Sequence, residues 1–263
     1  RAVASTSPGG IVVAAMANAE GAKSGEADLV RIAGPVQTLS KHHCRVFWTA
    51  PLRDGAVDAA LSAAWLADDA PRPILDGRFL SRPGVFAWDR IDPASALLAA
   101  HLPSDLAGHG ADLGTGYGYL AAEVLGRCPD VVALDVYEAD SRALALARSN
   151  LARFAERAVV AFHWHDVTTG LPQPYDFIVT NPPFHGRDRT ERPDVGRAFI
   201  AVAAAALRPG GRLLLVANRH LPYEAVLDAQ FGDVRMLAQQ SGFKVICATR
   251  RSAVVTPARR GAR

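Results

Sequence analysis

Asp112-Leu113-Gly114-Thr115-Gly116-Tyr117-Gly118 joins a short apolar strand to a helical pattern, and this strand, turn and helix set the architecture around them. Glycines in such a turn allow positive φ angles and let the backbone approach a ligand, while the following helix offers unpaired amide donors. A dinucleotide turn has the spacing G-x-G-x-x-G and binds a pyrophosphate. Here Gly114, Gly116 and Gly118 alternate after the acidic Asp112. The turn therefore favours S-adenosylmethionine, with its cationic amino-acid end, over a nicotinamide cofactor.

Around this turn, short β-branched runs alternate with helical patterns from about residue 103 to residue 249. Such alternation is typical of a parallel sheet covered by helices. We expect helices at residues 117–125, 140–154 and 194–207, and strands at residues 111–113, 131–135, 159–162, 177–180, 212–217, 234–237 and 243–249. The predicted fold class is α/β, with a Rossmann-like, seven-stranded, mostly parallel sheet.

Composition excludes several classes of protein. The chain has 263 residues, of which 49% are hydrophobic and 21% charged, and this argues against wholesale disorder or a coiled coil. No apolar run approaches the roughly 20 residues that cross a bilayer, and residues 11–17 are too short for a secretory signal. The three cysteines are an odd number without C-x-x-C spacing, so we expect neither disulfides nor a thiolate metal site. We predict a cytoplasmic protein without a membrane anchor.

The beginning of the chain repeats a pattern found near its end. The matching segments are Pro8-Gly9-Gly10 with residues 11–17 and Asn18, and Pro209-Gly210-Gly211 with residues 212–217 and Asn218. We interpret the repeat as a duplicated α/β unit, whose first copy is present only in its last third. Since residue 1 is Arg1, we expect the sequence to begin inside a domain and its first strands to expose an open edge or an apolar face. The predicted organisation is a degenerate unit at residues 1–74, which ends in a linker at residues 69–73, a catalytic domain at residues 75–250 and a basic tail at residues 251–263.

Two further acids are candidate cofactor ligands. Asp135 is predicted to end the second strand, 23 positions after Asp112, where a carboxylate can accept both hydroxyls of a ribose. Asp166 follows the third strand and can accept from an adenine amine. An alternative for Asp166 is a helix cap or a solvated loop acid.

The chemistry is indicated by Asn181-Pro182-Pro183-Phe184 after the fourth strand, at the edge where open α/β sheets bind ligands. A neutral exocyclic amine is a poor nucleophile because its lone pair is delocalised into the ring. The Asn181 side-chain oxygen and the Pro182 carbonyl can accept its two hydrogens and favour a pyramidal nitrogen. Pro183 makes the turn rigid, and Phe184 can stack on a base.

These motifs resemble class I S-adenosylmethionine-dependent methyltransferases acting on exocyclic or amide nitrogens. The extension through His185, with the segments at residues 216–223 and 242–245, is similar to the ribosomal RNA guanine-N2 methyltransferases of the small-subunit methyltransferase C type. The resemblance implies S-adenosylmethionine as cofactor and ribosomal RNA or the small ribosomal subunit as partner. It also implies that Phe86 and Asp92, in a similar upstream segment, close over the cofactor.

The predicted function is transfer of a methyl group from S-adenosylmethionine to N2 of a guanosine in ribosomal RNA. The alternatives are a methyltransferase for glutamine amides or adenine N6, a non-catalytic RNA-binding or assembly module, and the disfavoured nicotinamide oxidoreductase. The histidines, among them His42, His43, His163, His165 and His185, form no convincing ligand set, so we predict no metal site. We expect a monomer.

Overall fold

The computed structural model describes residues 1–183 and 193–252. The chain forms two compact units, Arg1–Ala70 and Pro71–Arg263. The predicted linker at residues 69–73 is wrong in part, because Arg72–Ile74 pairs with a following strand instead of running free. Within the described residues, no helix is long and apolar enough to cross a membrane.

The first unit is a three-stranded antiparallel sheet with two helices. Its elements are β1 (Val13–Ala17), α1 (Ala22–Ala33), β2 (Val36–Lys41), β3 (Cys44–Thr49) and α2 (Ala59–Asp68). Strand β3 lies in the centre, between β1 and β2. Phe47 on β3 packs with Leu29 and Ile32 of α1 in a small apolar core. Other apolar side chains stay exposed: Val13 is 59% exposed and Leu39 58%.

The second unit holds a hairpin, a seven-stranded sheet and five helices among its described residues. In chain order its elements are β4 (Arg72–Ile74), β5 (Phe79–Ser81), α3 (Pro93–Ala100), β6 (Gly108–Leu113), α4 (Tyr119–Arg127), β7 (Val131–Glu138), α5 (Ser141–Leu151), β8 (Val159–Trp164), β9 (Tyr175–Thr180), α6 (Pro193–Ala206), β10 (Leu207–Asn218), α7 (Glu224–Gln230), β11 (Phe231–Gln240) and β12 (Phe243–Arg250). The sheet order is β11-β12-β10-β9-β6-β7-β8. Strands β10, β9, β6, β7 and β8 are parallel, whereas β12 runs antiparallel to both β10 and β11. The predicted fold class is confirmed.

Alternating side chains of the central strands build a core on each face of this sheet. Leu134 and Phe177 pack on one face with Leu98 of α3, and Leu113 and Ile178 pack on the other. All of these side chains are buried, and each apolar side chain of this size stabilises the fold by about 1.5–3 kcal/mol. The two layers hold the carboxyl ends of β6, β7 and β9 at one edge.

Two predicted strand boundaries are wrong in ways that matter for the site. Strand β7 does not end at Asp135 but continues to Glu138, because Val136 and Tyr137 pair with both β6 and β8, and Glu138 pairs with β8. Strand β10 begins at Leu207, five residues before the predicted start at Arg212, and its pairing with β9 shifts between these two residues. The boundary of β7 moves the acid that ends the strand from Asp135 to Glu138.

The first unit and the end of the second share one arrangement. In each, a strand, a helix and a hairpin form a sheet whose last strand lies in the middle, giving β1-β3-β2 and β10-β12-β11. The central strand of each carries a basic residue that pairs with a helical glutamate, Arg45 with Glu26 and Lys244 with Glu224. The agreement supports the predicted duplication, which stays a prediction.

Candidate active site

The glycine turn connects β6 to α4, as predicted. Gly114, Gly116 and Gly118 have φ angles of +74°, +57° and +93°, so all three adopt the left-handed conformation that side chains disfavour. The amides of Gly114 and Thr115 donate to the Tyr137 carbonyl at 2.9 and 3.1 Å, which ties the turn to β7. The Gly118 amide donates to the Thr115 carbonyl at 2.9 Å, which closes the turn immediately before α4 begins.

Asp112 lies beneath this turn and is fully buried. Its Oδ2 accepts from Thr115 Oγ1 at 2.7 Å and from the Ala121 amide at 3.1 Å. Its Oδ1 is buried and has no hydrogen-bond partner within the part of the chain described by the structure. Burial, only partly opposed by these bonds, raises the pKa of the Asp112 carboxyl to about 7. A buried carboxylate oxygen of this kind would be stabilised by a nearby cation.

Glu138 is a candidate site residue that the sequence did not indicate. It ends β7 and lies beside the turn, where its Oε2 accepts from the Gly116 amide at 2.8 Å. Its Oε1 accepts from the Asp140 amide, also at 2.8 Å, at the start of α5. The sequence signal that could have identified Glu138 is its position just before the helix cap at Asp140. Because the strand must end before this cap, Glu138 is the last acid that the strand can contain.

Asp135, which was predicted to end the strand and to accept from a ribose, instead lies inside β7 and forms hydrogen bonds within the protein. Its carboxylate accepts from Tyr175 Oη at 2.7 Å, lies 3.2 Å from His109 Nε2 and also accepts from Gln173. Burial opposes ionisation, but the bonds from Tyr175 and His109 outweigh it and lower the pKa of Asp135. The prediction that Asp135 ends its strand is wrong, and Glu138 is the acid at that strand end; a contact between Asp135 and a ribose stays a prediction.

Asp166 follows β8 and caps a short 3-10 helix at Val167–Thr169. Its Oδ1 accepts from the amide and the hydroxyl of Thr168 at 2.9 and 2.7 Å, and these bonds lower its pKa. The cap that was weighed as an alternative is therefore present. An adenine contact by Asp166 stays a prediction.

A cavity at the carboxyl edge of the sheet brings together most of the other predicted residues. It is lined in part by Phe86, Asp92, Ser95, Gly114, Gly116 and Asn181. Asp112 does not line the cavity, but it accepts a hydrogen bond from Thr115, which does. Larger clefts run along the loop between β8 and β9, and they include neither the glycine turn nor Asn181. We therefore place the site at the smaller cavity.

Asn181 immediately follows β9 and is oriented by two oxygens. Its Nδ2 donates to Asp92 Oδ2 at 2.9 Å and to Ser95 Oγ at 2.8 Å. Its Oδ1 is buried and accepts no hydrogen bond from any described residue. An acceptor left open beside a glycine turn fits a ligand that brings its own donor. Phe184 and His185 lie outside the described residues.

The segment before α3 supplies the opposite side of the cavity. Asp92 caps α3 by accepting from the Ser95 amide at 2.8 Å, and Phe86 stands 64% exposed at the rim. Tyr117 of the turn donates to the Arg90 carbonyl at 3.1 Å, and burial raises its pKa to about 12. The structure therefore places Phe86 and Asp92 at the same cavity as the turn. Among the residues it describes, no group of three or more His, Cys, Asp or Glu side chains could hold a metal ion.

The sheet order, with its reversed final hairpin and an alternating-glycine turn after a central strand, defines a class I S-adenosylmethionine-dependent methyltransferase. The residues fit that cofactor: the turn admits a close approach, Glu138 stands at the end of the neighbouring strand, and buried oxygens of Asp112 and Asn181 have no donor among the residues that the structure describes.

Comparison with known proteins narrows the class. The family model "Methyltransferase small domain" matches residues 76–247. Ribosomal RNA small subunit methyltransferase C of Pseudomonas aeruginosa (strain LESB58) is 32% identical over 249 residues, which cover 92% of this chain and 72% of the relative. The same-named protein of Sodalis glossinidius is 39% identical over 163 residues, or 62% of this chain and 45% of the relative.

A solved structure gives the same result. A 16S rRNA N2 methyltransferase of T. thermophilus, in complex with AdoMet and guanosine, matches with a TM-score of 0.74 and 28% identity, covering 92% of this chain and 65% of that one. The chain belongs to the family of the ribosomal RNA small subunit methyltransferase C enzymes. It spans 72% of the length of the first relative and 65% of that solved chain.

Proposed function

We propose that this chain transfers a methyl group from S-adenosylmethionine to the exocyclic N2 of a guanosine in small-subunit ribosomal RNA. The observation that carries the proposal is the buried Oδ1 of Asn181, which has no hydrogen-bond partner in the described part of the chain and lies in one cavity with the glycine turn. An amide oxygen held there can accept a hydrogen from an exocyclic amine. The matched relatives are named as ribosomal RNA methyltransferases, and the solved one is named as an N2 methyltransferase and holds guanosine, which supports guanosine N2 over other amines.

The cofactor would be held by the turn and by Glu138. The alternating glycines let the cofactor approach the backbone of the turn, and the Glu138 carboxylate can accept from ribose hydroxyls. Asp112 would favour the cationic amino-acid end through Thr115 or water. Phe86 would cover the cofactor from the rim, and Asp166 is the candidate acceptor for the adenine amine. When bound, S-adenosylmethionine supplies an electrophilic methyl group on a sulfonium.

Asn181 and Pro182 would activate the amine. Asn181 Oδ1 and the Pro182 carbonyl accept one hydrogen each, which reduces delocalisation of the lone pair and aims it at the methyl carbon. The N2–carbon bond forms as the carbon–sulfur bond breaks, and N2 then loses a proton to water. A strong base is not needed, because the nitrogen becomes acidic on methylation. Pro183 keeps the turn rigid, and the stacking of Phe184 on the flipped base stays a prediction.

The test is transfer of tritiated methyl groups to unmodified small-subunit ribosomal RNA, with the product nucleoside mapped. We expect N2-methylguanosine with the wild-type protein and at least a hundredfold slower transfer with Asn181→Ala, by analogy with the loss of an oriented transition-state contact. Asn18→Ala, an exposed change in the first unit, is the matched control and should keep the wild-type rate.

The same experiment separates the alternatives. Label in protein would identify an amide methyltransferase, and label at adenine N6 would identify a different base. No binding of S-adenosylmethionine in a calorimetric titration would leave a non-catalytic RNA-binding module. Light scattering measures the oligomeric state, for which we propose a monomer, and a ribosomal RNA substrate agrees with the proposed cytoplasmic location.

A further inference from the structure

Asn181 can serve as an acceptor only if its amide is turned the right way. The side-chain oxygen and nitrogen of asparagine have nearly the same shape, so packing alone does not choose between them. If the amide were reversed, the NH2 group would face the cavity. Two donors would then face the two hydrogens of a guanine amine, and the activating contact would be lost.

Two neighbours of the Asn181 nitrogen differ in how strictly they enforce this orientation. Ser95 Oγ, 2.8 Å away, can donate as well as accept, so it tolerates either end of the amide. Asp92 Oδ2, 2.9 Å away, can only accept when ionised, so it excludes the reversed amide by repulsion between two oxygens. Asp92 Oδ2 is itself fixed, because it also accepts from the Ser95 amide as the cap of α3.

The geometry points to Asp92 as the positioning residue of Asn181: its carboxylate fixes the amide so that Oδ1 faces the amine. This inference rests on the proposed function, and it differs from the role in cofactor closure that the sequence resemblance implies for Asp92. Asp92 acts through Asn181, so its loss reduces the rate of transfer more than the affinity for cofactor. Ser95 contributes a hydrogen bond without selecting the orientation.

The test is a swap of the two side chains. Asp92→Asn keeps the size and the capping ability of the residue but removes the obligatory acceptor, and we expect kcat to fall about tenfold or more, the value of a hydrogen bond to a charged group. Ser95→Ala should lower kcat less. Asn181→Asp alone should lose at least as much as Asp92→Asn, because two carboxylates then face each other.

The double variant Asp92→Asn with Asn181→Asp restores a donor–acceptor pair in reverse. The new amide donates to one oxygen of the new carboxylate, whose other oxygen faces the cavity. We expect its kcat to exceed that of either single variant by about tenfold, the sign of direct coupling. A merely structural role of Asp92 would give additive losses.

Asp58→Asn is the matched control, because Asp58 caps α2 by accepting from an amide three residues later, as Asp92 does, and lies in the first unit. It should leave kcat unchanged. Cofactor affinity, measured by calorimetry, should stay within about threefold in Asp92→Asn, well below the effect of one charged hydrogen bond. A kcat within threefold of wild type in Asp92→Asn, or a loss that lies wholly in cofactor affinity, would overturn the inference.

A second measurement does not need the substrate. In nitrogen-labelled protein, the side-chain amide of Asn181 should exchange its hydrogens slowly in the wild type and faster in Asp92→Asn. Equal exchange in both would refute the positioning role even if no methyl transfer to RNA were detected. Slow exchange without any transfer would support the positioning and reject the proposed function.

Discussion

Replacing Asp112 by asparagine should make the cofactor-free protein more stable at neutral pH while weakening cofactor binding. Asp112 is fully buried, and burial raises its pKa from an ordinary value of 3.8 to about 7. Its ionised form is therefore disfavoured in the folded state. Asp112→Asn removes the charge and keeps an oxygen that can accept from Thr115 and Ala121, the two donors observed.

The magnitude follows from the size of the pKa shift. A shift of about three units corresponds to about 4 kcal/mol of destabilisation once the pH exceeds the folded-state pKa. The variant does not gain all of this, because its NH2 group takes the position of the unpartnered Oδ1. An unsatisfied buried amide costs about 1–3 kcal/mol. We therefore expect a net gain of about 1–3 kcal/mol near pH 8.

The difference in stability between Asp112→Asn and the wild type depends on pH. Below the unfolded-state pKa the Asp112 carboxyl is neutral in both states and destabilises nothing. As the pH rises towards the folded-state pKa, the unfolded chain ionises first and the wild type loses stability. Urea unfolding at about pH 4.5 and about pH 8 should show that the advantage of the variant grows by about 3 kcal/mol between them. The amide penalty cancels in this difference.

Asp135→Asn is the matched control, because Asp135 is also buried but its pKa is lowered. Its stabilising ionised form is present at neutral pH and is lost as the pH falls through the folded-state pKa, so the variant should be less stable than wild type near pH 8. Asp112→Asn should bind S-adenosylmethionine more weakly, and its affinity should lack the rise that we expect of the wild type between about pH 6 and about pH 8. If Asp112→Asn were destabilised at pH 8, or gained stability towards acid, the reasoning would be refuted.

Three further outcomes can be measured directly. Glu138→Ala should weaken S-adenosylmethionine binding about tenfold or more, since a charged acceptor beside the turn is lost, and unchanged calorimetric affinity would contradict its assignment. Gly196→Ala should lower the free energy of unfolding, because the new Cβ would lie 1.7 Å from Tyr223 Oη and overpacking costs about 1–3 kcal/mol. Gly126→Ala, on α4 with open space around it, should raise the free energy of unfolding by up to about 1 kcal/mol; thermal unfolding measures both. Lys244→Met should cost about 1–3 kcal/mol in urea unfolding by leaving a buried carbonyl without its charged donor, and no loss would show that the bond contributes little.

The fold was predictable because its signals are local. Periodic apolar residues and glycine turns identified every strand of the large sheet, and the acidic cap at Asp140 marked the start of α5. The end of β7 was not predictable from the same signals, because Tyr137 and Glu138 extend the strand only through pairing with β6 and β8. The acid that ends β7 was therefore misplaced by three residues.

The residues of the candidate site were also predictable only where their signals are local. The glycine turn and Asn181 were predicted from residue type and spacing. The bond from Asn181 to Asp92 was not, because it joins segments 89 residues apart and depends on where the cap of α3 lies in three dimensions. The strand register of the two repeated units was also not predictable. The pairing places Met16 opposite Arg45 and Ala217 opposite Lys244, which is one position away from the match of residues 11–17 with residues 212–217.

The same separation gives the site an order of assembly during synthesis. At about 5–20 residues per second, roughly 4–18 s pass between the emergence of Asp92 and that of Asn181. Strand β9, which Asn181 follows directly, keeps an open outer edge until β10 has been made and pairs with it as far as Thr180. A growing chain thus makes its glycine turn before it makes Asn181, the proposed amine acceptor. Ribosome-bound chains that stop before β10 should therefore expose an unpaired strand next to the cofactor turn.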